Sequence, residues 1–330
     1  MISTLSKPIE VVTLGDEHKK VSVYSKGEEH TTSFGYEWTT YSRVQSDAEL
    51  NANISRSRLE LNLGFPLEFL KGMNVLELGC GPGRFTEHFV QHAKSVVAVD
   101  LSNAIFHNSA LGHRNLLAIK ANLMEVPPLS EPIDLVFCRG VIQHTASPQD
   151  SLRRLFDYVR PEGLVIFDVY KKEPWHWRSF KYFWRPFFQK YISLEKFDRF
   201  ITRHVVRLYA IHHASLRVLS TLRPLKWILM KTPLYLSNNW EEEFPNLTIA
   251  QKHELFKADL IDALYSHYDQ PMTAREVLDT TAAIGQLPYS YDLMRNQFRY
   301  KKSDSTESIQ ARFTKNGALR MLSKNATLRA

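Results

Sequence analysis

The sequence predicts an α/β protein with a seven-stranded, mostly parallel sheet and helices on both faces. Three observations carry this expectation. Five short runs rich in Val, Ile, Leu and Phe alternate with helical stretches between residues 74 and 170, a glycine-rich turn follows the first run, and an acid closes the second. Continuous apolar strands are those buried on both faces, and strand–helix alternation gives parallel strands through right-handed crossovers.

Each element can be justified in turn. Residues 47–63 have helical spacing, ended by Gly64-Phe65-Pro66. The first strand is Asn74–Leu78 (NVLEL), followed by Gly79-Cys80-Gly81-Pro82-Gly83 and a helix over residues 84–92 that sets Phe85 and Phe89 on one face. Further strands fall at residues 95–99, ending at Asp100, and at 115–120, 133–138 and 164–170, with a helix over 148–159. After Tyr170 the alternation stops for about eighty residues, and Trp175, Trp177, Phe180, Phe183, Trp184, Phe187 and Phe188 interleave with Arg and Lys. The core pattern resumes with a helix over 252–265 and another opened by a Thr273/Glu276 capping box and closed at Gly285. Strands at 287–291 and 297–300 complete the sheet as an antiparallel hairpin. The expected organisation is an N-terminal arm or lid over 1–45, a core over 46–170, and a basic aromatic helical insertion over 171–250 that acts as a lid. The core is completed over 251–300, and a mobile basic tail follows over 301–330.

Composition bounds the function. With 44% hydrophobic and 23% charged residues in 330, the chain is an ordinary globular protein. Two cysteines, Cys80 and Cys138, support neither a disulfide framework nor a clustered metal site. The N-terminus lacks the basic start and apolar core of a secretory signal, and no apolar run approaches the ~18 residues of a membrane span. A cytoplasmic protein is expected, with peripheral membrane contact left open. Residues 171–235 hold 14 Lys and Arg against three acids, a net of +11 within a chain whose net charge is +7.

The stretch that carries chemistry is VLELGCGPGRF with Asp100, 17 residues after Gly83. Glycines between a first strand and a first helix let a ligand lie against bare backbone, and an acid ending the second strand can accept from ribose hydroxyls. The glycine spacing differs from a dinucleotide fingerprint, because Arg84 stands at the sixth position, and no Gly-Lys-Ser/Thr follows as in a P-loop. Glu77 would repel a pyrophosphate but suits a cationic cofactor.

VLELGCGPGRF, VVAVDLS, KANLMEVP, IDLVFCRGVIQHTASP and GLVIFDVY look like the successive motifs of class I S-adenosylmethionine-dependent methyltransferases, which have a Rossmann-like fold. The resemblance covers residues 73–170. It implies S-adenosyl-L-methionine as cofactor, with S-adenosyl-L-homocysteine as product and no metal. By the same resemblance Glu77, Gly79, Cys80, Gly81 and Gly83 surround the methionine part, Asp100 and Leu101 the ribose, Asn122 and Leu123 the adenine edge, and Arg139 and Gly140 the floor beside the sulfonium. FGYEW and ALYSHYDQPMTAREVLD are similar to bacterial members of uncharacterised or cell-surface glycan-linked function. Their Arg-Thr-Gly-Leu is here Asn62-Leu63-Gly64-Phe65, so an expected arginine is missing and Arg58 is the candidate replacement.

His144 is the candidate general base, because it follows the fourth strand at the sheet's C-terminal edge and histidine is the side chain most often used for proton transfer. Gln143 is a candidate for orienting substrate. The expected reaction is methyl transfer to oxygen of a small molecule, glycan or lipid-linked intermediate. An RNA methyltransferase and a non-catalytic cofactor-binding protein are the alternatives, with an oxidoreductase as a third. The insertion has three readings: a lid over the acceptor, an anionic-membrane contact through 171–235, or a nucleic-acid surface. The last is weakened by Cys138-Arg139-Gly140-Val141 where base methyltransferases often carry Asn/Asp-Pro-Pro-Tyr.

Overall fold

The computed structural model describes residues 2–26, 32–41, 54–174, 176–221 and 247–303. Among these residues are nine strands: β1 (Glu10–Leu14), β2 (Asp16–Val23), β3 (Asn74–Leu78), β4 (Ser95–Asp100), β5 (Leu116–Lys120), β6 (Ile133–Cys138), β7 (Val159–Asp168), β8 (Pro288–Asp292) and β9 (Gln297–Lys301). They form one sheet in the order β1-β2-β5-β4-β3-β6-β7-β9-β8. Strands β2 and β5, β5 and β4, β4 and β3, β3 and β6, and β6 and β7 pair in parallel, whereas β9 runs antiparallel to β7 and β8. The chain steps from β3 through β4 to β5 in one direction and places β6 and β7 on the other side. A crevice therefore opens beyond the carboxyl ends of β3 and β6.

Seven of these strands match the sheet expected from the sequence. The other two, β1 and β2, come from the segment read as a covering arm. Strand β2 begins with five exposed residues, and only Val21 and Val23 turn fully inward against β5. A strand with so short an apolar stretch gives little alternation to read, which is common at a sheet edge.

The described helices are α1 (Thr32–Thr40), α2 (Ile54–Leu63), α3 (Thr86–His92), α4 (Pro148–Tyr158), α5 (Phe180–Tyr191), α6 (Leu194–Thr221), α7 (Ile249–Tyr265) and α8 (Ala274–Ala282). Leu76, Leu78, Val97, Val136 and Val165 point to one sheet face, packed under Leu152, Leu155 and Phe156 of α4 and Val277 of α8. Val75, Val96, Leu135 and Ile166 point to the other, under Leu59 and Leu63 of α2 and Phe89 of α3. The period-2 alternation of strands buried on both faces thus fills two cores from the same runs. The residues before 54 in the helix expected over 47–63, and the tail from 304, lie outside the described residues.

A separate helical cap stands over the carboxyl edge of the sheet. Phe197, Ile201 and Tyr209 of α6 and Leu255, Phe256, Leu260, Ile261 and Leu264 of α7 form its core, with Phe180, Trp184 and Phe188 of α5 packed against it. Helix α7 therefore belongs to the cap, although its sequence pattern predicts a return to the sheet core. An amphipathic pattern reports that a face is buried and not which partner buries it. The hydroxyls of Tyr36 and Tyr41 both donate to Asp198 of α6, which ties α1 to this cap. Among the described residues, no helix is long and apolar enough to cross a membrane.

Candidate functional site

A cavity of about 570 Å³ opens at the carboxyl ends of β3, β4, β6 and β7, beneath α1 and α7. Its sheet end is built by the turn after β3. Gly81 adopts φ +51°, and a Cβ placed there would meet only Trp38, at 3.9 Å, so the cavity reaches bare backbone. The amide of Gly81 donates to Asp100 Oδ2 at 2.8 Å, while Ser102 donates from its amide and hydroxyl to Asp100 Oδ1 at 2.8 and 2.7 Å. Asp100 thereby fixes the turn that it faces and keeps acceptor capacity on Oδ2, since each carboxylate oxygen has two lone pairs.

Glu77, at the end of β3, is buried and accepts from Thr86 Oγ1 at 2.6 Å; Asn108 in turn donates to that hydroxyl. Burial pushes Glu77 up to about 8 against the Thr86 hydrogen bond, with the Asp100 charge adding to the rise. Burial also raises Asp100, opposed by its bonds from Ser102 and Gly81 and by Lys120. Two acids raised this way favour a cation in the cavity, because a positive charge stabilises their ionised forms.

The floor is Arg139-Gly140 at the end of β6. Arg139 Nε lies 3.2 Å from Asp168 Oδ2, its guanidinium sits over the Phe85 ring at 5.5 Å, and Gly140 donates its amide to Asp168 Oδ1 at 2.6 Å. His144, Tyr170, Glu37, Asp259 and Asp262 also line the cavity, and the Asp262 and Glu37 charges both act on Tyr170. His144 Nδ1 lies 2.7 Å from the Tyr268 carbonyl, which can only accept, so the neutral ring carries its proton on Nδ1 and Nε2 is the acceptor nitrogen. The His144 ring meets Tyr170 edge-on at 5.3 Å.

Comparison with known proteins bears on this geometry. Residues 49–209 match a family model described as a methyltransferase domain. The chain is similar to a malonyl-[acyl-carrier protein] O-methyltransferase of Salmonella typhimurium, at 28% identity over 38% of this chain and 50% of that protein. It is also similar to a ubiquinone biosynthesis O-methyltransferase of Pseudomonas fluorescens, at 30% identity over 32% of this chain and 47% of that one. The chain thus spans about half the length of these curated relatives. A similar solved structure is the N-methyltransferase NodS of Bradyrhizobium japonicum with S-adenosyl-L-homocysteine, at 19% identity, a TM-score of 0.32, and coverage of 41% of this chain and 74% of that one.

The cavity gathers Glu77, Gly79, Cys80, Gly81, Asp100, Leu101, Asn122, Leu123, Arg139, Gly140 and His144, all singled out from the sequence. Gly83 is a correction, since it does not line the cavity. A Cβ there would lie 2.4 Å from Asn108 Oδ1 and 2.8 Å from the Ser109 amide, so the glycine serves packing behind the turn. Gln143 is a second correction: it is fully buried outside the cavity, with Oε1 accepting from the Tyr170 amide at 3.3 Å. The two cysteine thiols are buried, and burial raises both well above their ordinary value. Arg58 lines the cavity whereas Asn62, at the place of the expected arginine, is buried away from it.

Sequence reasoning missed Glu37, Trp38, Asp168, Tyr170, Asp259 and Asp262 as cavity residues. Asp168 carries the same signal as Asp100, an acid closing an apolar strand, and could have been found. The others come from helices and loops far away along the chain, where no local spacing marks them.

Proposed function

We propose that the protein takes a methyl group from S-adenosyl-L-methionine and delivers it to an oxygen of a small molecule, a glycan or a lipid-linked intermediate. The observation that supports this reading best is one cavity with two dissimilar ends. One end offers bare backbone at Gly81 between the buried acids Glu77 and Asp100, and the other offers His144 with its acceptor nitrogen defined by the Tyr268 carbonyl.

When bound, the cofactor supplies an electrophilic methyl group on a cationic sulfur. Glu77 and Asp100 would hold the positive charge and the ribose hydroxyls, and Arg139, held by Asp168 and Phe85, would wall the cofactor. Displacement at a methyl group depends on alignment, so the chain's contribution is to orient two reactants and keep water out. His144 takes the acceptor's hydroxyl proton at Nε2, and the Tyr268 carbonyl stabilises the charge that the ring acquires at Nδ1–H. Tyr170 packs the ring in place.

Incubation of the protein with methyl-labelled cofactor and with small-molecule and lipid extracts tests the reading. Label is expected in one of those fractions and to fall sharply with His144→Ala; label found only in added RNA would overturn it. A further part of the proposal is peripheral contact with an anionic membrane. Trp177, Phe183, Phe187 and Tyr191 are exposed on the cap beside Arg178 and Lys190, an amphipathic basic face suited to a lipid interface. Co-sedimentation with phosphatidylglycerol vesicles and not with phosphatidylcholine vesicles is expected, and absence of both would remove this part.

A further inference from the structure

The cavity holds a carboxylate to which no described residue is paired. Glu37, on α1, is only 5% exposed and lines the cavity, and no described residue donates a hydrogen bond or an ion pair to its carboxylate. Burial together with the Asp262 and Asp259 charges raises it well above the usual carboxylate range. Other acids of the cap are well matched. Asp198 takes the hydroxyls of Tyr36 and Tyr41, and buried Asp269 takes Lys181 at 2.7 Å, Arg185 at 3.0 Å and Tyr182 at 2.8 Å. A buried acid without a donor is costly, and such a group persists where a ligand completes it.

The cavity contains two acidic groups that sense different neighbours. The like charge acting on Glu77 is Asp100, whereas those acting on Glu37 are Asp262 and Asp259. Tyr170, the ring against His144, is raised first by Asp262, then by burial and by further acids including Glu37. Asp262 and Glu37 act on Tyr170, whose ring packs against His144, so the Glu37 group is on the side of the cavity that holds the proposed base. Among the described residues no three His, Cys, Asp or Glu side chains are grouped closely enough to hold a metal ion.

We propose that the methyl acceptor carries an ammonium group that docks among Glu37, Asp259 and Asp262 while its hydroxyl faces His144. The proposal rests on the methyltransferase reading and narrows its acceptor to an amino alcohol or amino sugar. Because the Tyr36 and Tyr41 hydroxyls anchor α1 to Asp198, Glu37 is placed before the acceptor arrives. Such preorganisation reduces the ordering cost of binding.

The test uses the full chain, wild type and Glu37→Gln, loaded with S-adenosyl-L-homocysteine. The probes are 2-aminoethanol and D-glucosamine, each compared with its N-acetylated partner at millimolar concentration. The amines are expected to raise the melting temperature of the wild type, the N-acetylated partners to leave it unchanged, and the amine effect to disappear in Glu37→Gln. Without any ligand, Glu37→Gln should melt above the wild type, since an unmatched buried acid has been removed. Affinity for S-adenosyl-L-homocysteine should agree between the two proteins within roughly twofold. Equal shifts from the acetylated partners, no amine shift in the wild type, an amine shift retained in Glu37→Gln, or a lowered melting temperature in the variant would each overturn the proposal. So would about a tenfold loss of S-adenosyl-L-homocysteine affinity in Glu37→Gln, which would move Glu37 to the cofactor end. If S-adenosyl-L-homocysteine binds neither protein, the methyltransferase reading fails instead, and the amine comparison is still read on the unloaded chain.

Discussion

The two ends of the cavity are built in contrasting ways. The sheet end comes from short contiguous pieces: Glu77 to Gly81 is one strand end and its turn, and Asp100 with Ser102 is the next strand end. The far end is assembled from Glu37 on α1, His144 after β6, Tyr170 after β7, and Asp259 and Asp262 on α7. Backbone hydrogen bonds hold the first, and side-chain contacts across the cap hold the second. A site made by a turn keeps its chemistry as the rest of the chain varies, whereas one made by distant helices can be rebuilt for another acceptor.

The largest test of this contrast is Asp269→Ala. It leaves buried Arg185 and part-buried Lys181 without their anion, a loss of about 3–5 kcal/mol in denaturant unfolding. Cofactor-product affinity should survive in the folded fraction, because the hydrogen-bond and ion-pair partners of Asp269, namely Lys181, Tyr182 and Arg185, are all on α5. His144→Ala should lower turnover by about a hundredfold or more while sparing S-adenosyl-L-homocysteine affinity; unchanged turnover would reduce the histidine to packing against Tyr170. Glu77→Gln should act at the other end alone, weakening S-adenosyl-L-methionine roughly tenfold to a hundredfold, as expected for loss of a charged partner.

Glu77 also predicts a pH dependence. Its folded value near 8 lies above the ordinary carboxylate range, so the empty protein holds this proton while the unfolded chain releases it. Glu77 therefore costs the empty protein stability as pH rises from the ordinary range to about 8. Binding of a cation favours the carboxylate, so a proton should be released on binding below pH 8 and affinity should rise with pH up to that point. Calorimetry in buffers of different ionisation enthalpy measures the release, and a release that persists in Glu77→Gln would assign it elsewhere. The smallest effect is Thr248→Ala, which removes the capping box of α7 with Gln251 and should cost about 1 kcal/mol.

The same contrast explains what could be read from the sequence. Strands β3 to β7, the hairpin of β8 and β9, and the Thr273 capping box are set by local pattern, and the structure has them within a few residues. Gly81 and Gly83 look alike as letters, yet one opens to the cavity and the other is filled by Asn108, a contact made 25 residues away along the chain. The helical pattern of α7 was plain, but its partners, Phe197, Ile201 and Tyr209, lie on an inserted helix that no periodicity could pair with it. Glu37 was visible only as one letter of FGYEW, since its meaning depends on α7 standing opposite.

A crystal structure of the full chain with S-adenosyl-L-homocysteine tests the central claim most directly. The account predicts that the amino-acid part lies against Gly79–Gly81 near Glu77, that the ribose hydroxyls reach Asp100, and that the sulfur faces the space between Arg139 and His144. A nucleoside bound outside this cavity, or in it with the sulfur turned away from His144, would contradict the account.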